Sequence, residues 1–345
     1  MISNTPEALP ALLDYPSKLF VETTTRCNLL CPMCVKQSKG SCIKLGNMDW
    51  EIFDCLKPAF PFLQALVLNG IGEPLMHPHI IDFIYSARQL MPDDSWIGFQ
   101  SNGLLLDKKC AELLVRSGLD RLCLSVDGIK PESFNKARKG EQLSDIERAL
   151  AFLDVARRDN VDTCLKIGIE FVVTEINKTE LSPTLRWAAG QGVDFAIVSQ
   201  ALPYNRSATR QLAYDSSSDK AVEIFSKWKN KMAKMGLDIY QYNSVARSTG
   251  LFAMSSYDPL LAKVMRMVDE LRAEARAENV FLDIPSLLRR NTFQGQELME
   301  IFTAAQNVAD EVGMELKLPA AFPVYERSCP FVKDGSAFVS WDGNV

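Results

Sequence analysis

Residues 18–34 read KLFVETTTRCNLLCPMC, and this stretch decides both the expected fold and the expected chemistry. It begins with an apolar run that predicts a strand over Leu19–Thr24. Three cysteines follow within eight residues, namely Cys27, Cys31 and Cys34. Closely spaced thiols in a reducing compartment usually hold a metal or carry out redox chemistry. The stretch therefore predicts a metal centre directly after the first strand.

The remaining cysteines argue against a disulfide framework, because the total of nine is odd and no export signal is present. The other six are scattered singly along the chain, as Cys42, Cys55, Cys110, Cys123, Cys164 and Cys329. A zinc site would need a fourth Cys or His ligand. The two histidines, His77 and His79, flank a proline at the start of a predicted helix, and a zinc site that uses one of them stays an alternative. Three thiolates without an obvious fourth ligand suit a [4Fe–4S] cluster with one open iron, which predicts a catalytic site.

From the cysteine region onward, short apolar strands alternate with amphipathic helices. Strands are predicted at Leu19–Thr24, Ala65–Asn69, Trp96–Ser101, Arg121–Val126, Leu165–Val173 and Val193–Gln200. Helices are predicted at Trp50–Phe60, His79–Leu90, Lys108–Ser117, Ser144–Arg157 and Thr179–Ala189. Six strand–helix units over roughly 180 residues leave about 30 residues for each unit, which is the usual length of a βα unit. The pattern predicts an α/β fold in which a parallel sheet covered by helices forms a partial (β/α)6 TIM-like barrel.

Distinctive motifs follow the first four predicted strands. The cysteine triplet follows the first strand, NGIGEP (69–74) the second, SNG (101–103) the third and SVDG (125–128) the fourth. In barrels of this kind the functional groups lie at the C-terminal ends of the strands. We therefore expect the four motifs to surround one site.

Composition excludes several classes of function. The 345 residues are 47% hydrophobic and 23% charged, with a net charge of −5. The negative balance argues against nonspecific nucleic-acid binding. No apolar run reaches the ~20 residues of a membrane span, and the N-terminus lacks the features of a signal peptide. We expect a cytoplasmic protein with neither a nucleic-acid nor a membrane partner.

The organisation changes after Ala201. Residues 1–205 are predicted to form the partial barrel, and a polar, turn-rich linker over 202–219 introduces a helical region over 206–313. Helices are expected from Asp219, from Asp258–Pro259 and over about 296–312. Residues 314–345 are predicted to contain a strand at Met314–Leu318 and a β-hairpin turned by Lys333-Asp334-Gly335.

The spacing Cys27-x3-Cys31-x2-Cys34 after a first strand resembles the signature of the radical S-adenosylmethionine (radical SAM) superfamily. Its combination with GIGEP, SNG and SVDG makes the resemblance highly specific over about residues 18–205. It implies that the three cysteines bind a [4Fe–4S] cluster whose open iron takes S-adenosylmethionine (SAM). It also implies reductive cleavage of SAM to methionine and a 5′-deoxyadenosyl radical, which abstracts a hydrogen atom.

The resemblance also implies which residues bind SAM. Gly70, Gly72, Glu73 and Pro74 match the family's methionine-binding turn, and the glycines let backbone approach a ligand closely. The remaining implied contacts are Asn102 of SNG, Ser125 and Asp127 for ribose hydroxyls, Arg138 for the SAM carboxylate and Met33 for adenine. A simple strand-to-helix turn at GIGEP, a plain turn at Asp127-Gly128 and a solvated Arg138 stay alternatives. Glu170 is a further residue that could face the cavity.

The segment SCPFVKDGSAFVSWDGNV (328–345) resembles the start of a SPASM or twitch extension, which carries auxiliary [4Fe–4S] clusters. Cys329 is then a candidate auxiliary ligand. The resemblance implies that further cysteines would lie beyond Val345, so we expect auxiliary clusters in a longer, full-length protein and not in this chain.

We expect a radical SAM enzyme that modifies a peptide or protein or matures a metalloenzyme precursor, with a flavodoxin or ferredoxin as reductant. One alternative is a radical SAM enzyme acting on a small-molecule cofactor intermediate. A second, from another class, is a non-enzymatic iron–sulfur electron carrier. No substrate-contact residue can be identified from the sequence, and fold alone does not determine substrate.

Overall fold

The computed structural model describes residues 13–38, 40–202, 204, 211–214, 217–242, 259–289, 294–321 and 329–345. The chain divides into two compact units. The first contains the described residues within Met1–Ala213, Glu300–Pro319 and Arg327–Val345. The second contains those within Tyr214–Met299 and Ala320–Glu326.

The first unit is built on one parallel sheet. Its strands are β1 (Lys18–Val21), β2 (Ala65–Val67), β3 (Trp96–Ser101), β4 (Arg121–Ser125), β5 (Lys166–Val173), β6 (Phe195–Gln200), β7 (Glu315–Lys317) and β8 (Ser336–Val339). They lie in the order β7-β6-β5-β4-β3-β2-β1-β8, and every neighbouring pair is parallel. Six strands therefore follow one another in chain order, and one strand is added at each edge.

Helices connect the consecutive strands, as parallel pairing requires. In chain order the helices are α1 (Trp50–Leu56), α2 (Ile80–Arg88), α3 (Lys108–Arg116), α4 (Pro131–Ala137), α5 (Leu143–Arg158), α6 (Leu181–Gly190), α7 (Asp219–Lys234), α8 (Pro259–Ala277), α9 (Ile284–Arg289), α10 (Gln294–Val312) and α11 (Pro330–Lys333). Local chemistry explains where several begin. The Asp107 side chain caps α3 by accepting from the Cys110 N–H, and a Gln142/Asp145 capping box starts α5.

The two faces of the sheet have different roles, because side chains alternate along a strand. On β4, Leu122 and Leu124 are fully buried in the apolar core. Cys123 of the same strand and Glu170 of β5 line a cavity on the opposite face. The sheet thus buries one face as core and presents chemical groups on the other.

The predicted α/β class and partial barrel are confirmed, and all six predicted strands are present with boundaries that shift by up to three residues. The strand predicted at Met314–Leu318 is β7, which pairs with β6 at one edge of the sheet. Helix α4 was not predicted, since its seven residues are too short to show a clear apolar period.

The predicted β-hairpin at Lys333-Asp334-Gly335 is wrong. Residues Pro330–Lys333 are helical, and β8 pairs in parallel with β1 at the other edge of the barrel sheet. The Ser17 N–H donates to the Gly335 carbonyl, and the Lys18 ammonium pairs with Asp334 at 2.7 Å. The Asp-Gly pair that favours a hairpin turn locally is held instead by partners more than 300 residues away in the chain.

The second unit is helical. Its apolar core includes Phe225, Trp228 and Met232 of α7 and Val268 and Leu271 of α8. The predicted helices from Asp219, Pro259 and about residue 296 are all present, although the helix N-cap is Ser218 and not Asp219. The predicted linker over 202–219 falls partly outside the described residues. Within the part of the chain that is described, no helix has the length and apolarity to cross a membrane.

Candidate functional site

A cavity of about 280 Å³ lies at the C-terminal ends of the first strands. Nine of the predicted site residues line it, namely Cys27, Cys31, Cys34, Gly70, Gly72, Glu73, Asn102, Ser125 and Arg138. They come from the four segments that follow β1, β2, β3 and β4 and from the end of α4. The fold thus brings the four motifs to one place.

The cysteine loop is closed at its base by three buried threonines. The Thr25 hydroxyl donates to the Lys44 carbonyl and accepts from the Gly46 N–H, each at 2.8 Å. The Thr24 hydroxyl donates to Asn47 Oδ1, and the Thr23 carbonyl accepts from the Met48 N–H. These bonds join the two ends of the loop that carries all three cysteines.

The glycines of the GIGEP turn pack against the segment that leads into this loop. The Gly72 N–H donates to the Thr24 carbonyl, and a Cβ on Gly72 would lie 2.3 Å from that oxygen. A Cβ on Gly70 would lie 2.2 Å from Cγ of Glu22. Both glycines are therefore required by close approach to this chain's own atoms, whereas the sequence suggested approach to a ligand.

Glu73 connects two of the turns. Its side chain is 3% exposed. Oε1 accepts from the Ser101 hydroxyl at 2.7 Å and from the Leu75 N–H at 3.2 Å, while Oε2 accepts from the Asn102 N–H at 2.7 Å. Burial raises the pKa of this carboxyl, and the three hydrogen bonds offset part of the shift. The carboxylate is therefore engaged in holding SNG beside GIGEP.

Asn102 reaches from SNG to the cysteine loop. Its Nδ2 donates to Asn28 Oδ1 at 2.8 Å, and its Oδ1 accepts from the Leu104 N–H. In the same layer of the site, Gln100 Nε2 donates to the Ser125 hydroxyl at 2.8 Å. These bonds link the ends of β1, β3 and β4 around the cavity.

Asp127 does not line the cavity, although ribose binding was expected of it. Its Oδ1 accepts from the Val172 N–H at 2.8 Å, and its carbonyl accepts from Asn177 Nδ2. Its Oδ2 lies 2.9 Å from Nε of Arg138. The side chain therefore ties the ends of β4 and β5 together and faces the arginine.

Arg138 is buried and lines the cavity, so the solvated alternative is wrong. Its guanidinium lies between Asp127 and Glu141, with Nη1 3.6 Å from Glu141 Oε2. Burial alone would lower the pKa of Arg138, but the two carboxylates raise it above its ordinary value. Burial also raises the pKa of Glu141 to about 7, although Arg138 opposes this shift. A permanent cation thus stands at the cavity wall with two carboxylates behind it.

A second space of about 120 Å³ shares the lining residues Asn69 and Gln100 with this cavity. Glu170 lines this second space, and its Oε1 accepts from the Ser199 hydroxyl at 2.7 Å. Burial raises the pKa of Glu170. Deeper in, the guanidinium of Arg121 lies 4.9 Å from the Trp96 ring. Glu170 and Arg121 are therefore charged groups in an otherwise largely apolar second space.

Burial affects the protonation of Cys27 and Cys31. Burial raises the pKa of Cys27, and burial raises the pKa of Cys31 to about 11, although the charge of Arg138 opposes the latter shift. Metal binding requires thiolates and must displace these protons.

The donor set fits a multinuclear cluster better than a single ion. Among the described residues, no group of three or more His, Cys, Asp or Glu side chains is arranged to hold one metal ion. A four-iron cluster makes a different demand, since each thiolate ligates its own iron and the sulfurs stand apart. Both ring nitrogens of His77 are engaged, Nε2 with the Met48 carbonyl and Nδ1 with the His79 N–H. Three thiols around one cavity match the [4Fe–4S] expectation.

The remaining predicted residues lie outside the cavity lining. Met33 is partly exposed within the cysteine loop, and Pro74 is buried at the start of a 3-10 turn over Pro74–Met76. Cys329 is an exposed free thiol before α11. Sequence reasoning missed the threonines, Glu22 and Glu141. The TTT run was a visible signal, whereas nothing local marks a glutamate as buried.

Comparison with known proteins identifies the domain. Residues 21–188 match the radical SAM superfamily. The tungsten-containing aldehyde ferredoxin oxidoreductase cofactor-modifying protein of Pyrococcus furiosus is 33% identical over 207 residues, which cover 58% of this chain and 56% of that protein. A GTP 3′,8-cyclase of Clostridium acetobutylicum is 30% identical over 159 residues, covering 46% of this chain and 45% of that protein. The chain spans about half the length of these curated relatives.

One solved structure aligns with part of this chain. Streptococcus suis SuiB bound to S-adenosylmethionine aligns with a TM-score of 0.47 at 16% identity, over 58% of this chain and 44% of that chain. The predicted resemblance to the radical SAM superfamily is confirmed over residues 21–188.

Proposed function

We propose that this chain holds a [4Fe–4S] cluster through Cys27, Cys31 and Cys34 and uses it to cleave SAM reductively to a 5′-deoxyadenosyl radical. The observation that carries the proposal is that the three thiols and the GIGEP, SNG and SVDG segments line one cavity. When bound, the cluster supplies the electron for cleavage and an open iron for SAM. The chain itself supplies binding, orientation and exclusion of water.

The residues around the cavity divide this work. Arg138 is proposed to bind the SAM carboxylate, because it is the buried cation at the cavity wall. Ser125 and Asn102 offer hydroxyl and amide groups for the ribose and methionine moieties. Glu73 and Gly72 are proposed to position the loops that bind the ligand and not to contact it themselves. The Glu73 carboxylate and the Gly72 N–H already have hydrogen-bond partners within the chain.

For the substrate, we propose a peptide, a protein or a metalloenzyme precursor. This is supported by the relative described as a cofactor-modifying protein for a tungsten-containing oxidoreductase. The second candidate is a small molecule, and the relatives described as GTP 3′,8-cyclases favour it. Incubation with each class under reducing conditions, followed by mass spectrometry, distinguishes them. We further propose a cytoplasmic location, a flavodoxin- or ferredoxin-type reductant, and Cys329 as a ligand of an auxiliary cluster.

The proposal is tested by anaerobic reconstitution. The wild-type chain should bind about four irons and release 5′-deoxyadenosine from SAM under dithionite. Replacing Cys27, Cys31 and Cys34 with Ala should abolish both, because the site then has no thiolate. The matched control replaces three exposed cysteines, Cys42, Cys55 and Cys164, with Ala and should retain both activities.

Two outcomes would contradict the proposal. Release of 5′-deoxyadenosine by the variant that lacks Cys27, Cys31 and Cys34 would show that SAM cleavage does not need these cysteines. Iron binding by the wild type without any SAM binding would favour an iron–sulfur electron carrier.

A further inference from the structure

Behind the cavity wall, one buried guanidinium faces two buried carboxylates. Arg138 Nε lies 2.9 Å from Asp127 Oδ2, and Arg138 Nη1 lies 3.6 Å from Glu141 Oε2. The exposed fractions of the three side chains are 10%, 1% and 0% for Arg138, Asp127 and Glu141. With both carboxylates ionised, the group carries a net charge of −1 without water to screen it.

The two carboxylates are not equivalent. Asp127 accepts a backbone hydrogen bond from Val172 through Oδ1. Both oxygens of Glu141 are buried and have no hydrogen-bond partner within the described part of the chain. An ionised carboxylate that lacks hydrogen bonds is costly to bury, so Glu141 is the member of the group that most readily takes a proton.

Ligand binding at Arg138 would add a third carboxylate to this group. Under the proposed function that carboxylate belongs to SAM, and three carboxylates would then lie around the Arg138 guanidinium. We propose that binding of the SAM carboxylate at Arg138 is coupled to uptake of one proton by Glu141. The proton comes from solvent and forms the O–H bond of a neutral carboxylic acid, while Asp127 stays ionised and keeps Arg138 in position.

Glu141 is in this proposal a positioning residue, because it acts through Arg138 and does not itself line the cavity. The charged groups that face it are Arg138, Asp127 and Asp145. The pKa of Glu141, raised to about 7 chiefly by burial, means that its charge is poised near neutral pH in the free protein. Above that pH the free protein has an ionised Glu141, so SAM binding must be accompanied by proton uptake and must weaken as pH rises.

The test is calorimetric titration of the reconstituted, oxidised protein with SAM in two buffers of different ionisation enthalpy. At pH 8, Glu141→Gln should take up about one proton fewer per SAM than the wild type, because glutamine cannot titrate. The ligand and the cluster contribute equally to both proteins, so the difference isolates Glu141. The variant should bind SAM up to about tenfold more tightly at pH 8 and with equal affinity at pH 6, since one pH unit is a factor of ten in a linked equilibrium.

The matched control is Glu147→Gln, an exposed glutamate of α5, which should behave as the wild type. Equal proton numbers for Glu141→Gln and the wild type, with SAM bound to both, would overturn the inference and leave the proposed function standing. Failure of the wild type to bind SAM at all would overturn the proposed function and the inference with it.

An infrared measurement on the wild type keeps the inference testable if Glu141→Gln does not fold. Adding SAM at pH 8 should produce the carbonyl band of a protonated carboxylic acid, and the band should shift when glutamate is labelled with ¹³C. Absence of this band in a SAM-saturated sample would overturn the inference.

Discussion

The turn after β2 and the segment after β4 each carry a buried glutamate near the same cavity, and the two carboxylates differ in their hydrogen bonding. Glu73 is 3% exposed and accepts three hydrogen bonds. The side chain of Glu141 is fully buried and accepts no hydrogen bond within the described residues, and its nearest cationic atom, Arg138 Nη1, is 3.6 Å away. A satisfied carboxylate stabilises a fixed arrangement, whereas an unsatisfied one can change its protonation state when a ligand arrives.

The Glu73 region and the Arg138 region therefore have different roles: the first holds the site together, and the second can respond to a ligand. The Glu73 region holds the cysteine loop through short bonds to SNG and through contacts of GIGEP with residues 24–26. In the Arg138 region, the Asp127 side chain accepts one backbone hydrogen bond, and neither oxygen of Glu141 has a hydrogen-bond partner within the described residues. We expect substitutions in the first region to cost folding stability and substitutions in the second to alter ligand binding.

The largest loss of stability is expected when glutamine replaces Glu73, and the same substitution at Glu141 serves as the comparison. Glu73→Gln should lower the free energy of unfolding by about 2–4 kcal/mol, because an amide N–H₂ would face the N–H and O–H donors that the carboxylate accepts. Glu141→Gln should change it by at most about 1 kcal/mol, since it loses only a 3.6 Å ion pair with Arg138, and Arg138 keeps Asp127 as a partner. Urea unfolding of both variants measures the difference. Equal costs would remove the distinction between the two regions.

A smaller loss is expected at the GIGEP turn. Gly72→Ala places a Cβ 2.3 Å from the Thr24 carbonyl and 2.5 Å from that of Arg26, which backbone cannot accommodate without shifting. We expect a loss of about 2 kcal/mol and a lower iron content after reconstitution, because the displaced segment leads directly into Cys27.

The matched control is Gly190→Ala at the end of α6, where no atom lies within 4 Å of the added Cβ. It should be neutral or stabilising by up to about 1 kcal/mol. An unfolding midpoint for Gly72→Ala as high as that of Gly190→Ala would disprove the packing role of Gly72.

The smallest effect is expected at the base of the cysteine loop. Thr25→Val removes a hydroxyl that bonds Lys44 and Gly46 and should cost about 1–2 kcal/mol. Thr184→Val is the control, because the buried Thr184 hydroxyl has no hydrogen-bond partner within the described structure, and its removal should cost nothing. Thermal unfolding of the two variants compares them, and an unchanged midpoint for Thr25→Val would mean that the loop base does not depend on this hydroxyl.

Much of the fold was predictable because its signals are local. The βα alternation requires only short apolar runs and intervening helices, and it located all six inner strands. The edge strand β8 was assigned to a hairpin because Asp334-Gly335 is a favourable turn in isolation. Its pairing with β1 could not be seen locally, since Lys18 and Asp334 are 316 residues apart.

The site shows the same limit. Strand ends in a parallel sheet meet at one edge, so the motifs after β1 to β4 were expected to converge, and nine of their predicted residues line one cavity. The duties of individual residues were harder to predict. Asp127 was expected to face a ligand and instead contacts Arg138 and Val172, while Gly70 and Gly72 face this chain's own Glu22 and Thr24.

The sequence by itself determined the thiol spacing, the order of strands and helices, and the segments that border the site, because each is a property of neighbouring residues. Only the tertiary structure decided which polar groups line the cavity and which are hydrogen-bonded to other parts of the chain. A hydrogen bond or a steric contact depends on partners such as Glu73 and Ser101 or Glu22 and Ile71, which lie 28 and 49 residues apart. Burial likewise makes Glu141 unlike the other glutamates, because desolvation is set by everything packed around a side chain and not by its neighbours in the chain.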